Sequence, residues 1–202
     1  MTAGPIARGD VTLGLLAGGR GSRLGGCDKA WIVRDGFTQV ERLAQRFAND
    51  AASVLVSTNS PPARFEALGM RAVADRIPDL GPIGGLDALA AACTTPWLLT
   101  VPIDVVSVND CLLQTLASAG GQGATVEDDE GPQPLVALWS VAALRPVLEA
   151  RLRGAGGAPV AGDLSVLGLQ EALAMSRIRL NGVRFGNLNT PGDLAAAGAH
   201  LP

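Results

Sequence analysis

The residues best suited to chemistry lie in one stretch, Leu16-Ala17-Gly18-Gly19-Arg20-Gly21-Ser22-Arg23-Leu24-Gly25-Gly26-Cys27-Asp28-Lys29. Five of the nine residues from 18 to 26 are glycine. Without Cβ atoms the backbone can turn sharply and bring its N–H groups against a ligand. Behind a first strand, such groups make a cradle for an anion, phosphate above all. Lys29 closes the stretch and is the chain's only lysine, every other basic residue except His200 being arginine. A compact ammonium on a long stem suits a point charge shared between phosphates. The plainer alternative is a surface lysine in an arginine-biased chain. Two common phosphate motifs do not fit. A Walker A loop needs Gly-Lys followed by Ser or Thr, but Lys29 stands between Asp28 and Ala30. A dinucleotide fingerprint needs a third glycine where Leu24 stands.

The elements that must position this loop alternate along the chain. Residues 11–16 (Val-Thr-Leu-Gly-Leu-Leu) read as a buried first strand ending in the glycines. Thr38 to Glu41 matches a capping box, and Val40, Leu43, Ala44 and Phe47 continue at helical spacing. Residues 53–57 predict a second strand. A short helix follows Pro61-Pro62 and ends at Gly69. Residues 71–74 are a third, weaker strand, residues 84–92 an Ala-rich helix and residues 96–101 a fourth strand. Such alternation with short connections implies parallel pairing and right-handed crossovers. The expected fold is α/β: a single domain over residues 1–202, with one doubly wound, mostly parallel sheet flanked by helices. The second half is less regular. Residues 123–127 and 134–139 suggest a hairpin around the acidic run Glu127-Asp128-Asp129-Glu130, which reads as a solvated turn rather than a metal cage. A helix over residues 141–153, a flexible Gly-rich loop over residues 154–159 and a helix start at Thr190-Pro191 complete the pattern.

Composition excludes several function classes. A net charge of -3 lacks the dense basic face of a nucleic-acid binder. No apolar run approaches the roughly 20 residues of a membrane span. Residues 1–10 carry no apolar signal core. Three widely spaced cysteines and one histidine next to the C-terminus exclude a zinc site, and free thiols fit a reducing compartment, so cytoplasm is the default. Hydrophobic residues make up 48% and aromatics 3%, so the core must be aliphatic. The three tryptophans, Trp31, Trp97 and Trp139, are expected within it.

The glycine stretch, together with Asp75-Arg76-Ile77-Pro78-Asp79-Leu80-Gly81-Pro82-Ile83-Gly84-Gly85-Leu86, Val101-Pro102-Ile103-Asp104 and Asn187-Leu188-Asn189-Thr190-Pro191, resembles the molybdenum cofactor guanylyltransferases. These belong to the broader nucleotidyltransferases with a Rossmann-like fold. The motifs stand in the family's order across essentially the whole chain. The resemblance implies transfer of GMP from GTP to molybdopterin with release of pyrophosphate, using Mg²⁺. It implies that Leu16, Ala17, Gly18 and Gly19 line the nucleotide, that Lys29 meets its phosphates, and that Asp75 and the position of Ser57 help to hold it. Asp104 would bind the metal, and Lys29, Arg23 and Asp104 would be the catalytic set. Asn187, Asn189 and Gln133 would face the second substrate, so the N-terminal half would mainly bind nucleotide and the C-terminal half mainly the acceptor. Transient contacts with molybdoenzymes or cofactor-delivery proteins follow from the same resemblance.

Three positions depart from the family pattern. Ser57 stands where relatives can carry asparagine. Val105-Val106 follows Asp104 in place of a small residue and proline. Gly162-Asp163-Leu164-Ser165 lacks an arginine before the serine. The open alternatives are a cytidylyltransferase or another small-molecule nucleotidyltransferase, and a GTP-binding module without catalysis.

Overall fold

The computed structural model describes residues 6–18, 24–153 and 164–202. Gly19 and Arg23 of the expected site lie outside the described residues, as do Asp163 and the Gly-rich loop of residues 154–159.

Strand β1 (Val11–Leu16) is buried along almost its whole length and pairs in parallel with β4 (Ser53–Ser57) on one side and β6 (Trp97–Pro102) on the other. The seven-stranded sheet has the order β5-β4-β1-β6-β8-β7-β9, with β5 Arg71–Val73, β7 Gly123–Asp128, β8 Gly131–Ser140 and β9 Ser176–Arg179. Only β8 runs against the rest. The expected doubly wound, mostly parallel sheet is therefore present, with the predicted β7–β8 hairpin built into it. The chain winds outward from β1 through β4 to β5, then crosses back to β6 on the far side of β1. The winding reverses between β1 and β6, and the carboxyl ends of these two strands flank the crevice where open α/β sheets bind ligands.

Period-2 alternation sends β1 side chains to two cores. Val11, Leu13 and Leu15 join Leu99 and Val101 under α1 (Gln39–Arg46) and α4 (Leu112–Ser118). On the opposite face α3 (Pro82–Ala92), α5 (Val141–Arg153) and α6 (Val166–Ala172) cover Leu55, Leu98 and Trp139. Gly14 permits this second layer to close. A Cβ there would lie 2.9 Å from Leu98 Cδ1 and 3.0 Å from Leu89 Cδ1. Trp139 and Trp31 are core residues as expected, and Trp97 is partly buried against the core.

Local signals act where the sequence places them. Thr38 and Glu41 form the capping box of α1, and Gly69, at φ +73°, follows the short α2 (Ala63–Glu66). Thr190 caps α7 (Pro191–Ala196), with Pro191 at its first position. Beyond the expected pattern the chain forms α4, α6, β9 and a small sheet of β2 (Val33–Arg34), β3 (Phe37–Thr38) and β10 (Ala199–His200). The β2–β3 turn had a sequence signal in Asp35-Gly36. Both residues have positive φ, 52° and 82°, the demand of a two-residue hairpin loop.

The acidic run is not the solvated turn expected of it. Asp128 is 0% exposed and only Asp129-Glu130 form the turn. Burial pushes the Asp128 carboxyl upward, but hydrogen bonds from Phe185, Gln133, Glu130 and Gly131 outweigh it and hold the group below the usual carboxylate range. Among the described residues, no helix is long and apolar enough to cross a membrane.

Candidate active site

The site is assembled at the carboxyl ends of β1, β4 and β6. Leu16 is the last residue of β1 and is registered with Ser57 and Pro102. Its carbonyl accepts the N–H of Ile103 at 3.0 Å, and the next N–H, from Ala17, donates to the Ser57 carbonyl at 2.9 Å. Ala17 is buried and Gly18 exposed, so the chain breaks surface where the glycines begin.

Lys29 opens a short 3-10 turn, residues Lys29–Trp31, capped by the Asp28 side chain, which accepts the Ala30 N–H at 3.0 Å. The other Asp28 oxygen accepts the Ser60 hydroxyl at 2.9 Å, tying the turn to the segment after β4. With its stem fixed, Lys29 donates from Nζ to Asp104 Oδ2 at 3.0 Å and to Asn189 Oδ1 at 2.5 Å. An ammonium has three donors, so one remains for a ligand oxygen. These partners are 75 and 160 residues away in the chain.

Asp104 stands on the turn that follows β6. Its carbonyl accepts the Leu188 N–H at 2.8 Å, Val105 bridges Asn187 in antiparallel fashion, and Val106 N–H donates to the Phe185 carbonyl. The 185–189 segment is thereby zipped onto the loop after β6, which puts Asn187 and Asn189 beside Asp104. Below Asn189, Asp193 accepts the N–H groups of Asn189 (3.0 Å) and Thr190 (2.8 Å). Its carboxyl is held low by the Thr190 hydroxyl, then by these N–H groups and by the Lys29 charge. A small core of Leu24, Ile32, Leu188 and Leu194 joins the end of the glycine loop to the same segment. The buried Gln39 supports the loop from beneath, donating from Nε2 to the Val105 carbonyl at 2.6 Å.

A second group forms where β4 and β5 end against α3. Gly84 and Gly85 bring the first turn of α3 close to the sheet. A Cβ on Gly85 would lie 2.6 Å from Ser57 Oγ and 3.0 Å from Leu16 Cδ2, and one on Gly84 would lie 3.5 Å from Asp75 Cγ. Asp75 and Asn59 hold each other reciprocally: Asn59 Nδ2 donates to Asp75 Oδ2, and Asp75 N–H donates to Asn59 Oδ1, both at 3.2 Å. No hydrogen bond or ion pair joins Asp75 directly to Lys29 among the described residues. They are linked in steps, Asp75 to Asn59, then the adjacent Ser60 to Asp28, which precedes Lys29.

Two expected residues sit differently from the rest. Ser57 is 1% exposed, and its hydroxyl lies under Gly85 without a hydrogen-bond partner. It faces α3 because it follows Leu55 at period 2, so what it offers the loop is its backbone carbonyl. Asn59, which the sequence reading passed over, is the exposed amide at this edge. Gln133 spends its amide nitrogen on Asp128 Oδ1 at 3.1 Å. A register shift between Thr125 and Val126 places it opposite Val126.

Asp104 could offer one carboxylate oxygen to a divalent metal. Among the described residues no three His, Cys, Asp or Glu side chains are grouped to hold one. Oδ2 of Asp104 is engaged by Lys29, and Oδ1 has no partner among the described residues. Mg²⁺ commonly uses one or two carboxylates and completes its shell with waters and substrate phosphates. A single half-engaged carboxylate just beyond the end of β6 is compatible with a divalent ion held in that way.

Comparison with known proteins identifies the family. Residues 14–166 match the MobA-like NTP transferase domain. The chain is 34% identical over 161 residues to a molybdenum cofactor guanylyltransferase of Cupriavidus necator, spanning 75% of this chain and 80% of that protein. It is 35% identical over 188 residues to the enzyme of the same name from Cereibacter sphaeroides, spanning 91% and 93%. In fold it resembles the crystal structure of molybdopterin-guanine dinucleotide biosynthesis protein A from Archaeoglobus fulgidus, with a TM-score of 0.66, 22% identity and coverage of 92% and 96%. Family nucleotidyltransferases depend on a divalent metal. The chain belongs to the MobA-like NTP transferase family and, within it, to the molybdenum cofactor guanylyltransferases.

Proposed function

We propose that the protein transfers GMP from GTP to molybdopterin, forming the guanine dinucleotide cofactor and releasing pyrophosphate. The observation that carries this reading is the Lys29 ammonium bridging Asp104 and Asn189 between the ends of β1 and β6. In this reading it joins the loop that takes the phosphates to the segment expected to face the acceptor.

In this reading the triphosphate lies along the glycine loop, with backbone N–H groups around Gly18 and the third Lys29 donor on its oxygens. Gly19 and Arg23 complete the loop's share. Asp75 and Asn59 hold the nucleoside beside the first turn of α3. Asp104 would hold Mg²⁺, which when bound supplies a Lewis acid that offsets charge on the phosphate oxygens. Asn187 and Asn189 orient the pterin's phosphate. An oxygen of that phosphate attacks the α-phosphorus of GTP, a new P–O bond forms, the bond from the α-phosphorus to the bridging α–β oxygen breaks, and pyrophosphate leaves. The attacking phosphate is already ionised, so no side chain has to remove a proton. What the protein supplies is alignment and charge. The first half of the chain serves the nucleotide and the second half the acceptor. In this role the enzyme would work in the cytoplasm, in transient contact with proteins that deliver or receive the cofactor.

The test is product identity. Incubation with GTP, Mg²⁺ and molybdopterin should give the guanine dinucleotide by mass spectrometry, and Asp104→Asn should give none while still folding. Binding of GTP without any product in the presence of acceptor would refute the proposal.

A further inference from the structure

Asp128 has no task in the reaction above, yet it is fully buried at the end of β7. A buried carboxylate persists only where hydrogen bonds replace its water. Oδ1 accepts from Glu130 N–H at 3.0 Å and Gln133 Nε2 at 3.1 Å, both within the β7–β8 hairpin. Oδ2 leaves the hairpin and accepts the buried N–H of Phe185 at 2.9 Å, 57 residues on. Phe185 begins the run that reaches Lys29. Its carbonyl accepts from Val106 and Ser107, Asn187 bridges Val105, Leu188 donates to the Asp104 carbonyl, and Asn189 takes the lysine. The carboxylate therefore fixes the near end of a segment whose far end is in the site.

The surroundings hold Asp128 rather than a ligand. Arg179 donates from Nη1 to Glu127 Oε1 and to the Asp128 carbonyl, both at 2.7 Å. Asp129 N–H donates to the Val183 carbonyl at 2.9 Å, and Asp129 Oδ1 accepts the Gly182 N–H at 3.3 Å. The hairpin tip and residues 182–185 form one clasp, and the Phe185 bond is its innermost member.

We infer that Asp128 is a positioning residue: through the Phe185 N–H it sets the seat of residues 185–189 against the loop after β6, and so the placement of Asn187 and Asn189. Gln133 belongs to the same device. It holds Asp128 through its amide nitrogen, a positioning role beside the one expected of it at the second substrate. The consequence for acceptor binding rests on the function proposed above; the hold on the segment does not.

Asp128→Asn in the full chain tests both parts. Loss of a charged hydrogen bond should raise the KM for molybdopterin about tenfold, with the KM for GTP within about twofold of wild type. Amide hydrogen exchange without substrates should quicken in residues 183–189 and stay unchanged in β1 and β6. Gln133→Leu should shift both readouts the same way by less, and the double variant should be no worse than Asp128→Asn, as expected of two residues acting through one contact. Should Asp128→Asn fail to fold, Gln133→Leu gives the same two readouts with the carboxylate in place. Unchanged exchange in 183–189, equal losses for both substrates, or additive effects would overturn the inference. A wild-type protein inactive on molybdopterin would sink the acceptor reading alone, because the exchange measurement still decides whether Asp128 seats the segment.

Discussion

Replacing Lys29 with methionine keeps an unbranched apolar stem, with sulfur in place of Cδ, and removes the ammonium. The cost to folding should be small. At 3.0 Å the Lys29–Asp104 attraction is about 5 kcal/mol for an effective dielectric near 20, but water must be stripped from both groups to gain it. The side chains keep 14% and 23% exposure, so Asp104 can recover hydration once its partner is gone. The net loss should be near that of partly exposed pairs, about 1 kcal/mol. In a chain of this size that lowers the melting temperature by about 2–4 °C. The cost to turnover is of another order. Charge shifts onto the departing pyrophosphate in the transition state, and removing a preorganised donor to such charge costs about 10²–10³ in kcat. The structure therefore predicts a variant that melts almost like wild type and turns over hundreds of times more slowly in a pyrophosphate-release assay at saturating substrates. Lys29→Arg should not restore the rate, since a planar fork cannot occupy a point seat between Asp104 and Asn189. A kcat within about tenfold of wild type, or a melting temperature low enough to account for the lost activity, would refute the reasoning.

Three further outcomes follow from particular contacts. Asn59→Ala should raise the KM for GTP and leave that for molybdopterin unchanged, since the amide holds Asp75 and lies away from residues 185–189; equal changes in both would contradict this. Gly14→Ala should destabilise the fold by about 1–3 kcal/mol in denaturant unfolding, because its methyl group would meet Leu98 and Leu89 at 2.9 and 3.0 Å, and an unaltered midpoint would show that α3 yields freely. Asp128 has a folded pKa below its unfolded value, so its contribution to stability is complete above about pH 4 and is lost as pH falls through the lower folded value. Unfolding measured from pH 7 to 3 should show that acid-side loss in wild type and less of it in Asp128→Asn, whereas equal slopes would remove Asp128 from the account.

Much of this arrangement was legible from residue order because it rests on local rules. The mostly apolar run Val11–Leu16, ending in glycines, marked a buried strand. Thr38 with Glu41, and Thr190 before Pro191, marked their helix starts through short-range hydrogen bonds. Lys29 stood out because no other lysine exists, and its meeting with Asp104 came from motif resemblance rather than spacing. What stayed hidden depends on distant partners or very short elements. Two-residue strands such as β2, β3 and β10 carry no periodicity, although Asp35-Gly36 announced one turn. Asp128 looked solvated among four acids because its decisive donor, Phe185, is 57 residues away. Ser57 and Asn59 differ in exposure only once α3 is seen to cover the side of β4 that Ser57 shares with Leu55.

The central claim is that Lys29, Asp104 and the 185–189 segment join a guanine nucleotide to a pterin phosphate. Its most direct measurement is pyrophosphate release by the purified protein with molybdopterin and Mg²⁺, supplied in turn with GTP, CTP, ATP and UTP. The account predicts release with GTP that needs molybdopterin and disappears in Lys29→Met. Release with CTP but not GTP, or with GTP whether or not molybdopterin is present, would contradict it.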